Sequence, residues 1–124
     1  MHELSLSQGI VARTVARLRE LGLSMSAVRT IRIRVGDLSG VDAEALLDCL
    51  REMLPASGLP DASAELVREK ARVICPSCGE LEASSPFRLA CPRCGAVPER
   101  VEGGRDITVE SVEVEDDAPQ DASA

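Results

Sequence analysis

Cys75-Pro76-Ser77-Cys78-Gly79 and Cys91-Pro92-Arg93-Cys94-Gly95 are two copies of one short pattern, a Cys-x-x-Cys pair followed by glycine, with twelve residues between the pairs. Two residues between the cysteines allow both sulfurs of a tight turn to face one ion about 2.3 Å away. The glycine after each pair allows the positive φ that bends backbone amides back toward the sulfurs. The spacing therefore predicts a structural Zn²⁺ site with four thiolate ligands: Cys75, Cys78, Cys91 and Cys94.

A set of four thiolates closes the coordination sphere of zinc, which leaves no position for water or substrate. We therefore expect this site to stabilise the fold and not to catalyse. Disulfides or a redox Cys-x-x-Cys motif are the alternative interpretation, and zinc is favoured because both pairs share one register. Tetrathiolate iron is a further alternative that the spacing leaves open.

The composition limits what kind of protein this is. The chain has 124 residues, a formal net charge of −7, no Trp, no Tyr and a single Phe. Zinc ribbons that bind nucleic acid use a basic face and stacking aromatics, so we expect no nucleic-acid partner. The opening residues lack a basic leader, and no apolar run approaches membrane-spanning length. We therefore expect no membrane association and a cytoplasmic location, where reduced cysteine pairs usually bind metal.

Hydrophobic periodicity predicts two helices and three strands outside the cysteine-rich stretch. Apolar residues from Leu4 to Leu21 lie on one side of a predicted amphipathic helix. Asp42 opens a second predicted helix over 43–54, and Pro55 marks its end. Alternating apolar and polar residues predict strands over 28–35, 64–73 and 106–115.

These elements predict an α+β fold, in which two helices cover one face of a small three-stranded sheet. The third strand can join the other two only if the chain returns from the cysteine-rich segment, so this segment is expected to be an inserted zinc-ribbon domain with four cysteine ligands. This segment contains few aliphatic residues, so it should fold only when the ion is bound. The predicted domains are residues 1–73 plus 105–115, the ribbon at 74–104, and an acidic tail at 116–124 that is expected to be disordered.

The amino terminus offers a second set of metal ligands, around the only histidine of the chain. The amine of Met1, the peptide nitrogen of His2 and the His2 imidazole form consecutive chelate rings, and Glu3 can complete a square. Planar, nitrogen-rich coordination suits Ni(II) or Cu(II) better than tetrahedral Zn²⁺. On the residues alone, a passive, solvated His2 remains the default interpretation. Glu3 likewise has a simple role as a negative charge at a helix N-terminus.

Four stretches of the chain together form a specific pattern: Met1-His2-Glu3-Leu4-Ser5-Leu6, Gly36-Asp37-Leu38-Ser39-Gly40-Val41-Asp42, the two Cys-x-x-Cys-Gly pairs, and a closing Gly-x-x-Ile-x-Val-x-x-Val-x-Val strand from Gly104. This order of motifs spans nearly the full length and resembles the HypA/HybF family of nickel metallochaperones in NiFe-hydrogenase maturation. The resemblance implies a nickel carrier and not an enzyme. The residues themselves also argue against an enzyme, because one terminal histidine and a closed tetrathiolate site do not form a catalytic site.

The resemblance also implies roles for individual residues. His2 would be the essential nickel ligand, through its imidazole and its main-chain nitrogen, with Glu3 beside it. Asp42 would approach the same site, and its alternative role as N-cap of the second helix stays equally open. Four residues match the structural zinc ligands of the family: Cys75, Cys78, Cys91 and Cys94.

The partners implied by the resemblance are a hydrogenase maturation GTPase of the HypB type and the hydrogenase large subunit. Some members of the family also serve urease, which adds urease accessory proteins, and homodimerisation is left open. The alternative hypothesis is a zinc-ribbon protein-interaction module in transcription or translation, in which His2 has no role. The negative net charge and the missing aromatics count against that alternative.

Overall fold

Two helices and two three-stranded sheets form the structure, a computed structural model that describes residues 2–115. The helices are α1 (Glu3–Glu20) and α2 (Ala43–Ala56). The strands are β1 (Val28–Gly36), β2 (Ser63–Glu69), β3 (Arg72–Cys75), β4 (Gly79–Glu82), β5 (Arg100–Glu102) and β6 (Ile107–Val114). The predicted disordered tail at 116–124 and the Met1 amine lie outside the described residues.

The first sheet has the strand order β2-β1-β6, and α1 packs against α2. In the central strand β1, Ile31 and Ile33 are fully buried, whereas Arg32 between them is only half-buried. The alternation expected for a strand with one wet face is therefore present. Three leucines of α2 are also buried: Leu46, Leu50 and Leu54. The predicted α+β class, with two helices and a three-stranded sheet, is confirmed.

The buried face of α1 differs from the predicted stripe. Leu4 and Leu21 are more than half exposed. The buried residues are Glu3, Ser7, Ile10, Val11, Thr14 and Leu18. Polar residues can occupy this face because the hydroxyls of Ser7 and Thr14 each donate a hydrogen bond to the carbonyl oxygen four residues earlier in the helix. Burial therefore leaves neither hydroxyl unpaired.

The second helix continues two residues beyond the predicted range of 43–54, through Pro55 to Ala56. Proline lacks an N–H, so near a helix end it removes one backbone hydrogen bond without disturbing several turns. The N–H of Ser57 donates to the carbonyl of Met53 at 2.9 Å and ends the helix.

The predicted strand over 64–73 is two strands, β2 and β3, which belong to different sheets. At the end of β2, the carbonyl of Glu69 accepts a hydrogen bond from the N–H of Asp37 at 2.9 Å. Ala71, between the strands, is buried, and its carbonyl accepts from the N–H of Ala83 at 2.8 Å. Alternation in the sequence continues across this break and therefore could not reveal that the chain changes sheets.

The second sheet has the strand order β4-β3-β5, and both strand pairs are antiparallel. In the β3–β4 hairpin, Cys75 pairs with Gly79, so the first cysteine pair occupies the hairpin turn. A small apolar core consists of Ala71, Val73 and Ala83, and four partly buried hydrophobic residues pack against it: Leu38, Leu81, Leu89 and Val101. So small a core agrees with a segment that is stabilised by an ion.

The chain divides into two compact units. One contains the residues up to Ile33, Asp42–Leu66 and the residues from Val109, and the other contains Arg34–Val41 and Val67–Thr108. The second unit is wider than the predicted ribbon at 74–104, because the loop after β1 packs into it: the N–H of Leu38 donates to the carbonyl of Gly104 at 2.6 Å. No helix within residues 2–115 combines the length and the apolar character needed to cross a membrane.

Gly36 and Gly104 make a close backbone approach within the second unit. A Cβ atom on Gly36 would overlap the carbonyl group of Gly104, and Gly104 itself has a φ of +73°. Glycine is required at both positions, for space at the first and for backbone conformation at the second. This approach fixes the start of the 36–41 loop, which leads to Asp42.

Candidate metal centres

The cysteine cluster is built from two turns of similar geometry. Gly79 and Gly95, which follow the two pairs, have φ values of +86° and +78°. In the second turn, the N–H of Gly95 donates to the carbonyl of Cys91 at 2.8 Å, and the N–H of Cys91 donates to the carbonyl of Ala96 at 2.9 Å. The positive φ expected after each pair is therefore present and closes each turn.

The four sulfurs of these turns have the separation that a tetrahedral ion requires. The Sγ atoms of Cys75, Cys78, Cys91 and Cys94 all lie within 4.8 Å of one another. Those of Cys75 and Cys94 are 3.6 Å apart. Four sulfurs at about 2.3 Å from one tetrahedral ion are roughly 3.8 Å apart. All four cysteines are free thiols and not disulfides, so the donor set fits a single tetrathiolate ion.

The surroundings of the cluster shift the pKa values of two of its thiols, Cys91 and Cys78, in opposite directions. The backbone N–H groups of Cys94, first, and of Arg93 stabilise the thiolate and, against the opposing effect of burial, lower the pKa of Cys91 to about 6. Burial, together with hydrogen bonds to the other three sulfurs, raises the pKa of Cys78 to about 12. Four thiolates at this spacing repel one another, and a divalent cation offsets the repulsion.

His2 lies at the N-terminal end of α1. It is the N-cap residue, and its carbonyl accepts a hydrogen bond from the N–H of Leu6 at 2.9 Å. The side chain is exposed and does not cap the helix. The helix thus holds the backbone of His2, while the imidazole remains accessible to an ion in solvent.

Glu3 is buried, with an exposed fraction of 8%, although it is the first residue of the helix. Its carboxylate accepts a hydrogen bond from the backbone N–H of Asp42 at 3.0 Å, and its carbonyl accepts one from the hydroxyl of Ser7. The positively charged amino terminus, first, and the Asp42 N–H lower the pKa of Glu3 to about 2. The carboxylate is therefore ionised near neutral pH and ties the start of α1 to the start of α2.

Asp42 is the N-cap of α2, as one of its two predicted roles requires. One carboxylate oxygen, Oδ1, accepts hydrogen bonds from the N–H groups of Glu44 and Ala45, both at 3.1 Å. The cap role is therefore confirmed. The hydrogen bond from the Asp42 N–H to Glu3 also brings together the two acidic residues that were predicted beside the nickel site.

Ser7 was not among the predicted site residues, yet it is fully buried and its hydroxyl donates a hydrogen bond to the carbonyl of Glu3. A signal existed in the spacing, because Glu3, Ser7, Thr14 and Leu18 follow the period of one helix face. The polarity of three of these residues obscures that signal.

An α+β fold that carries a four-cysteine cluster and also an exposed imidazole, which is followed in the sequence by an ionised carboxylate, is typical of a metal-handling protein. Residues 1–114 match the profile of the HypA family, described as "Hydrogenase/urease nickel incorporation, metallochaperone, hypA". The chain belongs to this family. It is therefore a nickel metallochaperone and not an enzyme, as predicted, and the family role requires interaction with the proteins that mature hydrogenase or urease.

Individual relatives agree with this assignment. The hydrogenase maturation factor HypA of Streptomyces avermitilis is 33% identical over 119 residues, which cover 94% of this chain and 88% of that protein. The factor of the same name from Chlorobaculum parvum is 32% identical over 117 residues, covering 93% and 100%. These matches over nearly the whole chain decide against the alternative of a transcription or translation module.

Solved structures support the fold. The solution structure of the Ni metallochaperone HypA from Helicobacter pylori superposes with a TM-score of 0.60 at 18% identity, covering 92% of this chain and 97% of that one. A second solution structure, of a HypA protein, has a TM-score of 0.63 at 18% identity, covering 93% and 97%. At this identity, the likeness concerns the fold alone.

Proposed function

We propose that this chain binds Ni(II) at its amino terminus for delivery during nickel-enzyme maturation, and that its four clustered cysteines hold a resident Zn²⁺. The observation that carries the proposal is the position of His2, whose backbone is held as a helix N-cap while its imidazole is exposed and does not cap the helix. Such a residue is available to an incoming ion without any unfolding.

The nickel ligands in this proposal are nitrogen atoms of the first residues. The Met1 amine, the peptide nitrogen of His2 and its imidazole close consecutive chelate rings, and such planar sites are preferred by Ni(II) over Zn²⁺. Copper binds such sites more tightly still, so selectivity for nickel depends on geometry and on handover to a partner.

Glu3 supports this site through its position. Its carboxylate accepts a hydrogen bond from the N–H of Asp42, and an ionised carboxylate has two oxygens with about four lone-pair positions, so Glu3 can also complete the square around Ni(II) as a ligand. The buried carboxylate thus holds the residue after His2 in place, and its negative charge favours a cation close by. Asp42 supports the site indirectly, because its backbone N–H donates the hydrogen bond that holds the Glu3 carboxylate.

A site at a chain end suits a carrier, which must select its ion and then release it. The ordering of the exposed His2 imidazole on binding costs side-chain conformational entropy, and this cost limits the affinity. A partner with better-held ligands can therefore take over the ion through a shared intermediate. Imidazole must be neutral to act as a ligand, so a fall in pH also favours release.

Zn²⁺ is the ion that best fits the cysteine cluster, because it prefers four sulfurs in tetrahedral geometry. When bound, it supplies structural cross-linking and no chemistry. We place the protein in the cytoplasm, because that reducing compartment keeps such thiols available for metal. Metal analysis distinguishes zinc from the alternative of tetrathiolate iron.

The partners in this proposal are a hydrogenase maturation GTPase of the HypB type and the hydrogenase large subunit, with urease accessory proteins as further recipients. The family description, which names both hydrogenase and urease, supports this set. A homodimer is a further candidate assembly, and measurement of the molecular mass in solution tests it.

The role of the amine is tested by adding a Gly-Ser dipeptide before Met1. Ni(II) affinity, measured by isothermal titration, should fall at least roughly tenfold, because even the loss of an outer-shell partner typically costs a metal site 10–100-fold. The same dipeptide after Ala124 is the matched control and should change nothing. Unchanged affinity in the amino-terminal variant would remove the amine from the site.

Substitution of Asp42 separates its two predicted roles. Asp42→Asn keeps a capping oxygen, whereas Asp42→Ala loses the cap and should cost about 1 kcal/mol of unfolding free energy. If Asp42 is only a cap, the Asn variant should bind Ni(II) like the wild type. A clear loss of Ni(II) affinity in the Asn variant, with its stability retained in urea denaturation, would show that the carboxylate itself contacts the ion.

A further inference from the structure

Phe87 is the only aromatic residue of the chain, and its exposed fraction is 93%. It borders an open depression of about 620 Å³ in the second unit, together with Arg88, Leu89 and Pro92. A lone exposed apolar residue needs no explanation in general. An aromatic that stands beside an open depression is different, because aromatic and arginine side chains dominate the energy of protein interfaces.

The turn that carries Phe87 is held in a defined shape. The N–H of Arg88 donates to the carbonyl of Ser85 at 3.3 Å, and the N–H of Phe87 donates to the hydroxyl oxygen of Ser85 at 3.2 Å. Pro86, between them, has a fixed φ. On either side, Ala83 is buried and Leu89 packs against the small apolar core.

The defined shape of this turn matters for binding. An aromatic ring on a pre-formed turn loses little conformational freedom when a partner covers it, so more of the contact energy appears as affinity. Phe87 is therefore presented to solvent on a defined turn and is well placed to act as an anchor.

The charge around Phe87 differs from that of the whole protein. Residues 83–98 contain Arg88 and Arg93 but no Asp or Glu, in a chain whose net charge is −7. Within residues 2–115, neither arginine takes part in an ion pair, whereas Arg72 and Arg100 of the same unit both do. Arg88 and Arg93 thus remain available for carboxylates of another molecule.

Three other occupants fit this surface less well. A second copy related by a two-fold axis would bring together two surfaces that carry arginines and no carboxylate, so the arginines would find no acidic partner there. The chain's own residues 116–124 are acidic but include no apolar side chain larger than proline. A nucleic acid would be repelled by the net charge of −7.

We propose that Phe87, Arg88 and Arg93 form a docking surface for a partner protein, which contributes a segment with an apolar side chain flanked by carboxylates. The apolar side chain would lie against Phe87 in the depression, and the carboxylates would pair with the two arginines. The inference rests on the proposed function in one respect: the partner is taken to be a protein of nickel delivery.

Binding measurements test the docking surface directly. The probes are the purified hydrogenase large-subunit precursor and the maturation GTPase from the same organism, each titrated against the full-length, zinc-loaded chain by biolayer interferometry. For the probe that docks here, Phe87→Ala and Arg88→Glu should each weaken binding at least about tenfold, as expected for interface anchors. The effect of Arg88→Glu should shrink at high salt.

Matched controls lie in the other unit. Leu21→Ala removes an apolar side chain that is more than half exposed, and Arg13→Glu makes the same change of charge on an exposed helix face. Both should bind the probes like the wild type. The proposal is wrong if all four variants bind alike, or if neither probe binds the wild type.

Cross-linking identifies the chemistry of the occupant. A benzoylphenylalanine at position 87 should cross-link to a partner peptide in which an apolar residue has Asp or Glu neighbours. Cross-links to a second copy of the chain, to its own tail or to added RNA would each contradict the proposal.

The nickel site provides an independent check on the same preparations. Phe87→Ala should bind Ni(II) with wild-type affinity, because Phe87 belongs to the other compact unit. Loss of partner binding with normal Ni(II) titration would support the docking surface alone. Failure of the wild type to bind Ni(II) would instead refute the proposed function and leave the partner titrations to decide the docking surface.

Discussion

Replacement of His2 by alanine is expected to remove near-stoichiometric Ni(II) binding while the fold and the cysteine-bound ion are retained. The substitution deletes the imidazole and opens a chelate ring, so affinity should fall at least roughly 100-fold, the upper end of what the loss of an outer-shell partner costs. The fold should persist because the His2 side chain is exposed and caps no helix. Isothermal titration with Ni(II) and metal analysis for zinc measure the two effects.

Ser5→Ala is the matched control for this substitution, because Ser5 is exposed in the first turn of the same helix. It should leave Ni(II) affinity and thermal stability unchanged. Loss of folding in His2→Ala would mean that His2 is a structural residue. Retained Ni(II) affinity with an intact fold would remove His2 from the nickel site.

Replacement of Cys91 by serine is expected to abolish tight zinc binding and to loosen one compact unit selectively. Metal binding contributes about 10–16 kcal/mol in small structural zinc domains, so a lost ligand removes much of what keeps such a segment folded. Because Leu38 packs on the core of this unit, the loop at 37–41 should loosen together with residues 67–108. Hydrogen exchange read by mass spectrometry should show lost protection there and retained protection in α1 and α2.

Cys49→Ser is the control, since this cysteine lies in α2 and outside the four-sulfur cluster. It should leave zinc content and the exchange of residues 67–108 unchanged. An entirely unfolded Cys91→Ser protein would contradict the division into two units. Unchanged zinc content in that variant would contradict the tetrathiolate site.

Features determined by local chemistry were predictable from the sequence. The Cys-x-x-Cys-Gly pattern requires tight turns with positive φ at Gly79 and Gly95, and both turns are present. The alternation in β1 predicted a strand with one buried face, and Ile31 and Ile33 are fully buried. The capping role of Asp42 followed from its position before an apolar helix.

Features that depend on distant partners were not predictable. The hydrogen bond between Glu3 and the N–H of Asp42 joins residues that are 39 positions apart. Ser7 is fully buried although it is polar, because its hydroxyl donates a hydrogen bond to the carbonyl of Glu3 in the preceding turn. The break after β2 depends on hydrogen bonds from Asp37 and Ala83, which the alternation of residues does not encode.

X-ray absorption of the protein loaded with both metals, recorded at the nickel and zinc edges, tests the two-site account most directly. The account predicts zinc with four sulfur neighbours at about 2.3 Å and nickel with only nitrogen and oxygen neighbours, including imidazole. Sulfur scattering at the nickel edge, or the absence of imidazole there, would show that nickel does not bind at His2.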